Sequence, residues 1–251
     1  MNVEAYLSRI GFTGKPDGGT ETLGKLQELH LQAVPYENLD IMNGVPLSLQ
    51  LESIYDKIVG RGRGGYCFEL NALFGWLLRE LGYGVTDYFA RFWRDEANTP
   101  PKRRHQVLRV EAEGRVFLCD VGVGGIVPRR PLLLQEGLEQ QQGGESYRFD
   151  RDAEFGWMLM EKKKDGWARL FSFTEEPQLP KDYLMASFWC EHAPDSVFKN
   201  NRIVAMHTKD GRNTVWNEEF RLFRPDGVHA FTPASEAEDA EALKKYFGIV
   251  V

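Results

Sequence analysis

Cysteine is scarce in this chain of 251 residues: three, at positions 67, 119 and 190. With no CxxC pair among them, neither a disulfide framework nor a zinc site is expected, and no metal is. No apolar run approaches the roughly 18 residues a membrane span needs. The N-terminal stretch MNVEAYLSRIGF lacks the charged-then-apolar pattern of a secretory signal. There is no basic surplus either: 31 Lys and Arg stand against 37 Asp and Glu, a net charge of −6. That balance speaks against a nucleic-acid or anionic-membrane partner. Internal repeats are missing, and the one polar-biased patch, Glu139 to Gly144, reads as a loop. The expectation is a cytoplasmic protein with reduced thiols, long enough for one large domain or several small layers sharing cores.

What is present divides by hydrophobic period. Glu4 to Ile10, Thr20 to Ala33 and Leu51 to Val59 read as helices. The clearest helix carries Leu70, Leu73, Phe74, Leu77, Leu78 and Leu81 on one continuous stripe and stops at Gly82. The period then changes. Val85–Trp93, His105–Glu111, Arg115–Val121, Tyr147–Phe149, Trp157–Lys162 and Trp167–Phe173 read as strands, which suggests a curled antiparallel sheet or barrel. Trp189 to Ser196 looks irregular. Arg202–Thr208 and Thr214–Phe223 read as two further strands, and Ala234–Phe247 as a final helix.

Cys67 lies in Arg63-Gly64-Gly65-Tyr66-Cys67-Phe68-Glu69-Leu70-Asn71, one turn before Leu70 on the apolar stripe. A thiol at the first turn of a helix sits among unpaired N–H groups and the positive end of the dipole, both of which favour the thiolate. As a nucleophile it needs a base and an orienting acid. His105 and Asp120 flank the tight turn near Glu111-Ala112-Glu113-Gly114. A loop of Ala112 and Glu113 sets the two directly opposite; a loop of Glu113 and Gly114 sets them diagonally on one face, and only a three-residue loop would part them. A carboxylate on one imidazole nitrogen fixes the tautomer and leaves the other to take the thiol proton, so that a thiolate–imidazolium pair forms at neutral pH. Cys119 and Cys190 read as packing. Glycines 122, 124 and 125 would let backbone approach a ligand closely, and Arg129 and Arg130 are candidates to meet phosphate.

The segment around Cys67 resembles the nucleophile signature of the arylamine N-acetyltransferases. Val34-Pro35-Tyr36-Glu37-Asn38-Leu39 is similar to that family's Pro-Phe-Glu-Asn-Leu run. Asp120-Val121-Gly122-Val123-Gly124-Gly125, with Pro128 and Pro131-Leu132 after it, resembles the segment holding its third catalytic residue. His105, with Arg104 before it, falls where the family keeps its histidine. The likeness runs from about residue 4 to 134 and fades beyond. It implies a Cys67–His105–Asp120 triad, a structural ion pair between Glu37 and Arg63, and acetyl-CoA as co-substrate. The implied acceptor is an arylamine, hydrazine or N-hydroxyarylamine.

The implied fold class is α+β around a cysteine-protease-like core: an N-terminal helical bundle (1–84), an antiparallel β-barrel (85–187) and a C-terminal α/β lid (188–251). Coenzyme contacts are expected at Gly122, Gly124 and Gly125, and acceptor contacts at Tyr36, Phe92 and Val123. Val123 stands where the family commonly has Phe. Trp189-Cys190-Glu191-His192-Ala193-Pro194 departs from its Ser-Thr-x-Pro run, so no cofactor role carries over to it. Two rival readings share these residues: a hydrolase or amide synthase acting on another acyl donor, and a binding module in which Cys67 is merely buried. A monomer and a homodimer are both open.

Overall fold

The computed structural model describes residues 1–93, 99–125 and 127–250. Five helices come first: α1 (Val3–Arg9), α2 (Thr20–Ala33), α3 (Leu39–Met42), α4 (Leu51–Tyr55) and α5 (Cys67–Glu80). Between α2 and α3 runs a two-residue strand, β1 (Tyr36–Glu37). The expected third helix is shorter than its periodicity suggests, because α4 passes at Asp56 into a wider π turn, Asp56–Gly60.

Eight strands then build the larger sheet: β2 (Gly84–Phe92), β3 (Arg103–Ala112), β4 (Arg115–Cys119), β5 (Leu132–Leu133), β6 (Gln140–Gln142), β7 (Glu145–Asp152), β8 (Gly156–Lys163) and β9 (Gly166–Phe173). Their order, β5-β4-β3-β2-β9-β8-β7-β6, is antiparallel throughout and curls into a nearly closed barrel. Two glutamines bridge the ends. Gln140 Oε1 accepts from the Leu133 N–H at 2.8 Å while its Nε2 donates to the Leu133 carbonyl at 2.9 Å. Gln142 does the same for Arg130, at 2.9 Å each way. The amide side chains thus imitate a backbone ladder and satisfy an otherwise open edge. This corrects the reading of 139–144 as a loop: its glutamines form β6 and the seam of the barrel.

Helix α6 (Tyr183–His192) and the short α7 (Val197–Asn200) follow; α6 takes in Trp189–His192 of the stretch expected to be irregular, and 193–196 is irregular. The second sheet has the order β1-β10-β11-β12-β13, with β10 (Ile203–Thr208), β11 (Gly211–Trp216), β12 (Glu219–Arg224) and β13 (Gly227–Phe231). The stretch 214–223, expected as one strand, turns at Asn217, whose φ of 56° is a left-handed conformation that asparagine tolerates. Helix α8 (Glu236–Phe247) ends the fold, its N-terminus capped by the Ser235 hydroxyl. No helix among the described residues is long and apolar enough to cross a membrane.

Three cores result. Helices α1, α2 and α5 pack on one face of the barrel around Tyr6, Leu26, Phe74, Leu77 and Leu108. Strand residues such as Val107, Leu118, Phe149 and Phe171 fill the barrel. Val204, Val215, Phe220, Leu243 and Phe247 join the second sheet to α8. Sheet membership and chain segment do not coincide, since β1 belongs to the helical part of the chain yet pairs Tyr36 with Ala205 in β10.

Candidate active site

Cys67 is the first residue of α5, and the helix start is fixed by a buried acid. Glu69 Oε2 accepts the Tyr66 N–H at 3.0 Å and Oε1 meets Lys57 Nζ at 2.8 Å. Lys57 also pairs with Asp40 at 2.8 Å, and Arg63 bridges Asp40 at 3.0 Å and Glu37 at 2.7 Å. The Glu37–Arg63 pair therefore exists as one side of a chain of ion pairs. That chain holds 37–40 and 57–69 together under the nucleophile. Burial pushes the Glu69 carboxyl up to about 7, against the opposing pull of Lys57.

His105 and Asp120 meet: Nε2 and Oδ2 are 2.7 Å apart, and both side chains are about 5% exposed. The hairpin between them turns at Glu113 and Gly114, with φ of 49° and 70°. The ladder accordingly pairs Leu108 with Cys119 and Ala112 with Arg115. His105 and Asp120 are thus diagonal, not directly opposite, and Asp120 reaches across from one residue past the end of β4. With Nε2 committed to the carboxylate, Nδ1 is the nitrogen left to face the thiol.

Asp120 is held by more than His105. Its Oδ1 accepts from Asn71 Nδ2 at 2.9 Å and from the Gly122 N–H at 2.8 Å. Asn71 is fully buried, donates also to the Gln106 carbonyl at 2.7 Å, and accepts the Val121 N–H at 3.0 Å. It sits one helical turn beyond Cys67, so a single helix face presents both the thiol and the clamp on the acid. Sequence reasoning assigned Asn71 no role. The i, i+4 spacing from Cys67 was visible, but its partners lie 35 to 50 residues away.

The thiol itself is 2% exposed and lies 3.6 Å from the Arg104 carbonyl. Burial pushes it well above its ordinary value, with the Cys190 and Asp120 charges adding to the rise. The Arg104 guanidinium and the Gln106 N–H pull it down. Burial thus works against the thiolate expected at neutral pH, while the helix terminus and the Arg104 charge favour it.

Cys67 and His105 open into a cavity of about 500 Å³. Tyr36, Phe92 and Val123 line it, together with Gly122 and Gly124. The two glycines answer to packing: a Cβ on Gly122 would come within 2.7 Å of the Cys67 Cα, and one on Gly124 within 2.7 Å of the Tyr36 ring. Gly125 lies elsewhere, in a small crevice beside His207. Neither Arg129 nor Arg130 lines the cavity. Arg129 donates to the Thr208 and Gly211 carbonyls, at 2.8 and 2.9 Å, and ties down the β10–β11 hairpin. Arg130 pairs with Glu21 at 2.7 Å. The remaining walls include Arg104, beside the histidine motif, and residues without a sequence motif, among them Phe198, Thr214 and Trp216.

The family model described as N-acetyltransferase matches residues 20–251. An arylamine N-acetyltransferase of Mycobacterium tuberculosis is 35% identical over 256 residues, covering 100% of this chain and 90% of that protein. One from Escherichia coli is 33% identical over 216 residues, covering 86% of this chain and 76% of its own length. Among solved structures, the Salmonella typhimurium arylamine N-acetyltransferase superposes with a TM-score of 0.94 at 29% identity, covering 98% of this chain and 90% of that one. The Mycobacterium marinum arylamine N-acetyltransferase in complex with CoA does so at 0.91 and 34%, covering 99% and 93%. The similarity thus spans the whole chain, well past residue 134, where the recognisable motifs fade.

Proposed function

This chain belongs to the arylamine N-acetyltransferase family of acyltransferases, and we propose that it moves acetyl from acetyl-CoA to an arylamine, hydrazine or N-hydroxyarylamine in two half-reactions through an acetyl-Cys67 thioester. The observation that carries the reading is the convergence of Cys67 with a His105–Asp120 pair 2.7 Å long on one cavity. A volume of about 500 Å³ suits a small-molecule acceptor beside the acyl arm.

In the first half-reaction His105 Nδ1 takes the Cys67 proton as sulfur attacks the thioester carbon. The imidazolium is stabilised by Asp120, which stays ionised. The Cys67 N–H, at the open end of α5, is a donor for the tetrahedral oxyanion. Collapse expels the coenzyme A thiolate, which takes the proton back from His105. The amine then attacks the acetyl carbon, His105 removes its proton, and the amide leaves with Cys67 restored as a thiol. Exchange between two thioesters is nearly isoenergetic, and formation of the amide drives the second step.

In this reading residues 1–84 supply the nucleophile, 85–187 the base and acid, and 188–251 the lid of a cysteine-protease-like core. Gly122 and Gly124 border the acyl arm. Intact-mass measurement after acetyl-CoA alone tests the proposal: a single acetyl adduct is expected on the wild type and none on Cys67→Ala. An adduct on the variant, or none on the wild type, removes Cys67 as the acyl carrier.

A further inference from the structure

Tyr66 immediately precedes Cys67 and is buried with it, and its backbone and side chain are pinned by different helices. Its N–H goes to Glu69 of α5 at 3.0 Å. Its carbonyl accepts from the Glu69 and Leu70 N–H groups at 3.0 and 2.9 Å. Its ring packs edge-on against Phe68 and Phe198, with centres 5.4 and 5.8 Å away. Its hydroxyl leaves α5 altogether and lies 2.5 Å from Ser187 Oγ, buried in α6. Ser187 Oγ lies 3.1 Å from Glu191 Oε1, one helical turn on, and Glu191 Oε2 accepts the Leu47 N–H at 3.2 Å. A carboxylate only accepts, so Ser187 donates to Glu191 and Tyr66 in turn donates to Ser187. One directed chain of donors thus runs from the residue before the nucleophile into α6, and Glu191 ties its far end to the segment ahead of α4.

From this we infer that Ser187 is a positioning residue: through Tyr66 it fixes the 66–67 peptide, whose N–H is the donor offered to the tetrahedral oxyanion. The inference rests on the acyl-transfer reading of Cys67. Neither Ser187 nor Tyr66 is a described lining residue of the cavity, so both act without touching a substrate. Removing the Ser187 hydroxyl leaves a buried phenol without a partner, and the ring moves to recover one. That movement turns the peptide and its N–H away from the oxyanion. The sulfur has separate support, because Gly122 packs against the Cys67 Cα and the thiol rests near the Arg104 carbonyl. Acyl transfer needs both sulfur and N–H in place, whereas simple alkylation of the thiol needs the sulfur alone.

The test separates those two demands in wild type, Ser187→Ala, Tyr66→Phe and Ser187→Thr. Three quantities are measured per folded molecule: acetylation of Cys67 by acetyl-CoA, alkylation by iodoacetamide, and reversible capture of benzaldehyde, read as protection from alkylation. Benzaldehyde forms a hemithioacetal: sulfur bonds to the carbonyl carbon and the thiol proton ends on the oxygen. That oxygen takes the oxyanion position without coenzyme or turnover. Ser187→Ala and Tyr66→Phe should each slow acetylation about ten-fold and weaken benzaldehyde to match, short of the roughly 10²–10³ that outright loss of an oxyanion donor costs. Alkylation should hold at the wild-type rate, and Ser187→Thr, which keeps the hydroxyl, should restore the other two. Unchanged acetylation and benzaldehyde affinity in Ser187→Ala and Tyr66→Phe overturns the inference, as does a fall in alkylation that matches the fall in acetylation. If acetyl-CoA leaves the wild type unacetylated, the acyl-carrier reading fails, and the benzaldehyde arm still decides whether Ser187 acts on that N–H. Circular dichroism gives the folded fraction of each variant. Should Ser187→Ala not fold, Tyr66→Phe carries the comparison, since it leaves the bond from Ser187 to Glu191 in place.

Discussion

Asn71 Nδ2 stands 2.9 Å from Asp120 Oδ1, which ties the acid of the site to the helix that carries the thiol. Cys67 and Asn71 occupy one face of α5, so any shift of that helix moves nucleophile and acid together. The same amide holds the backbone beside both members of the pair, at Gln106 after His105 and at Val121 after Asp120. Asn71 is a positioning residue in this arrangement: it touches Asp120 and leaves the chemistry to others.

Replacing Asn71 with Ala should then cost both stability and rate. Removing the amide leaves the buried Gln106 carbonyl, Val121 N–H and one carboxylate oxygen short of partners, a penalty of about 2–4 kcal/mol in urea unfolding. A purely structural role predicts normal turnover in the fraction that stays folded. A positioning role predicts that kcat, corrected for folded enzyme, falls at least about ten-fold with little change in KM.

Asp120→Asn separates orientation from packing. The amide is isosteric and keeps a contact to His105, but it favours the wrong tautomer. Activity should fall by roughly 10³–10⁴, far out of proportion to the change in unfolding free energy. A mere twofold loss would take Asp120 out of the triad.

Gly122 provides a steric test. A methyl there would press on the Cys67 Cα and the Asn71 amide, at 2.7 and 2.5 Å. Gly122→Ala should destabilise by about 1–3 kcal/mol and slow alkylation of Cys67 as the turn shifts. In the wild type iodoacetamide should label Cys67 ahead of Cys119 and Cys190. All three are buried, but among them only Cys67 is a described lining residue of the large cavity. Equal labelling of the three would argue against an addressable nucleophile.

How much of this was legible follows from the range over which each signal acts. Helix α5 was readable because Leu70, Leu73, Phe74, Leu77 and Leu78 bury one face within fourteen residues. The motif 34–39 and the motif 63–71 were each visible, and so was the pairing of Glu37 with Arg63; the extension through Lys57 and Glu69 was not. The hairpin register was ambiguous by one residue. Of the loops considered, Glu113-Gly114 is the one that forms, with Glu113 in a left-handed φ that glutamate rarely adopts. Helix α6 was missed because its pattern is inverted: Leu184, Met185 and Phe188 face solvent, while Ser187 and Cys190 are buried. The seam at Gln140 and Gln142 looked like polar loop because its partners, Leu133 and Arg130, become neighbours only when the sheet curls.

Two buried histidines make the fold sensitive to acid. Burial and the Arg9 charge lower His30 to about 3, and burial with the Arg129 charge lowers His207 to about 4. His30 Nδ1 lies 2.8 Å from the Tyr6 hydroxyl. Both rings are therefore neutral in the native state at pH 5, while the unfolded chain, with histidine values near 6.5, binds the protons. The unfolded state holds more protons between about pH 4 and 6.5, so stability falls as pH drops through that window and is fully present above it. At pH 5 each histidine contributes a loss of about 2 kcal/mol relative to pH 7.5. Glu69, raised to about 7, works in the opposite sense, since its native carboxyl keeps a proton that the unfolded chain releases. A difference measurement removes that contribution. Urea unfolding of wild type and His30→Gln at pH 5, 6 and 7.5 should show the variant less stable throughout but with a shallower loss on acidification. The gap between the two proteins should narrow by about 2 kcal/mol from pH 7.5 to 5; parallel curves would mean that His30 is protonated in the folded protein.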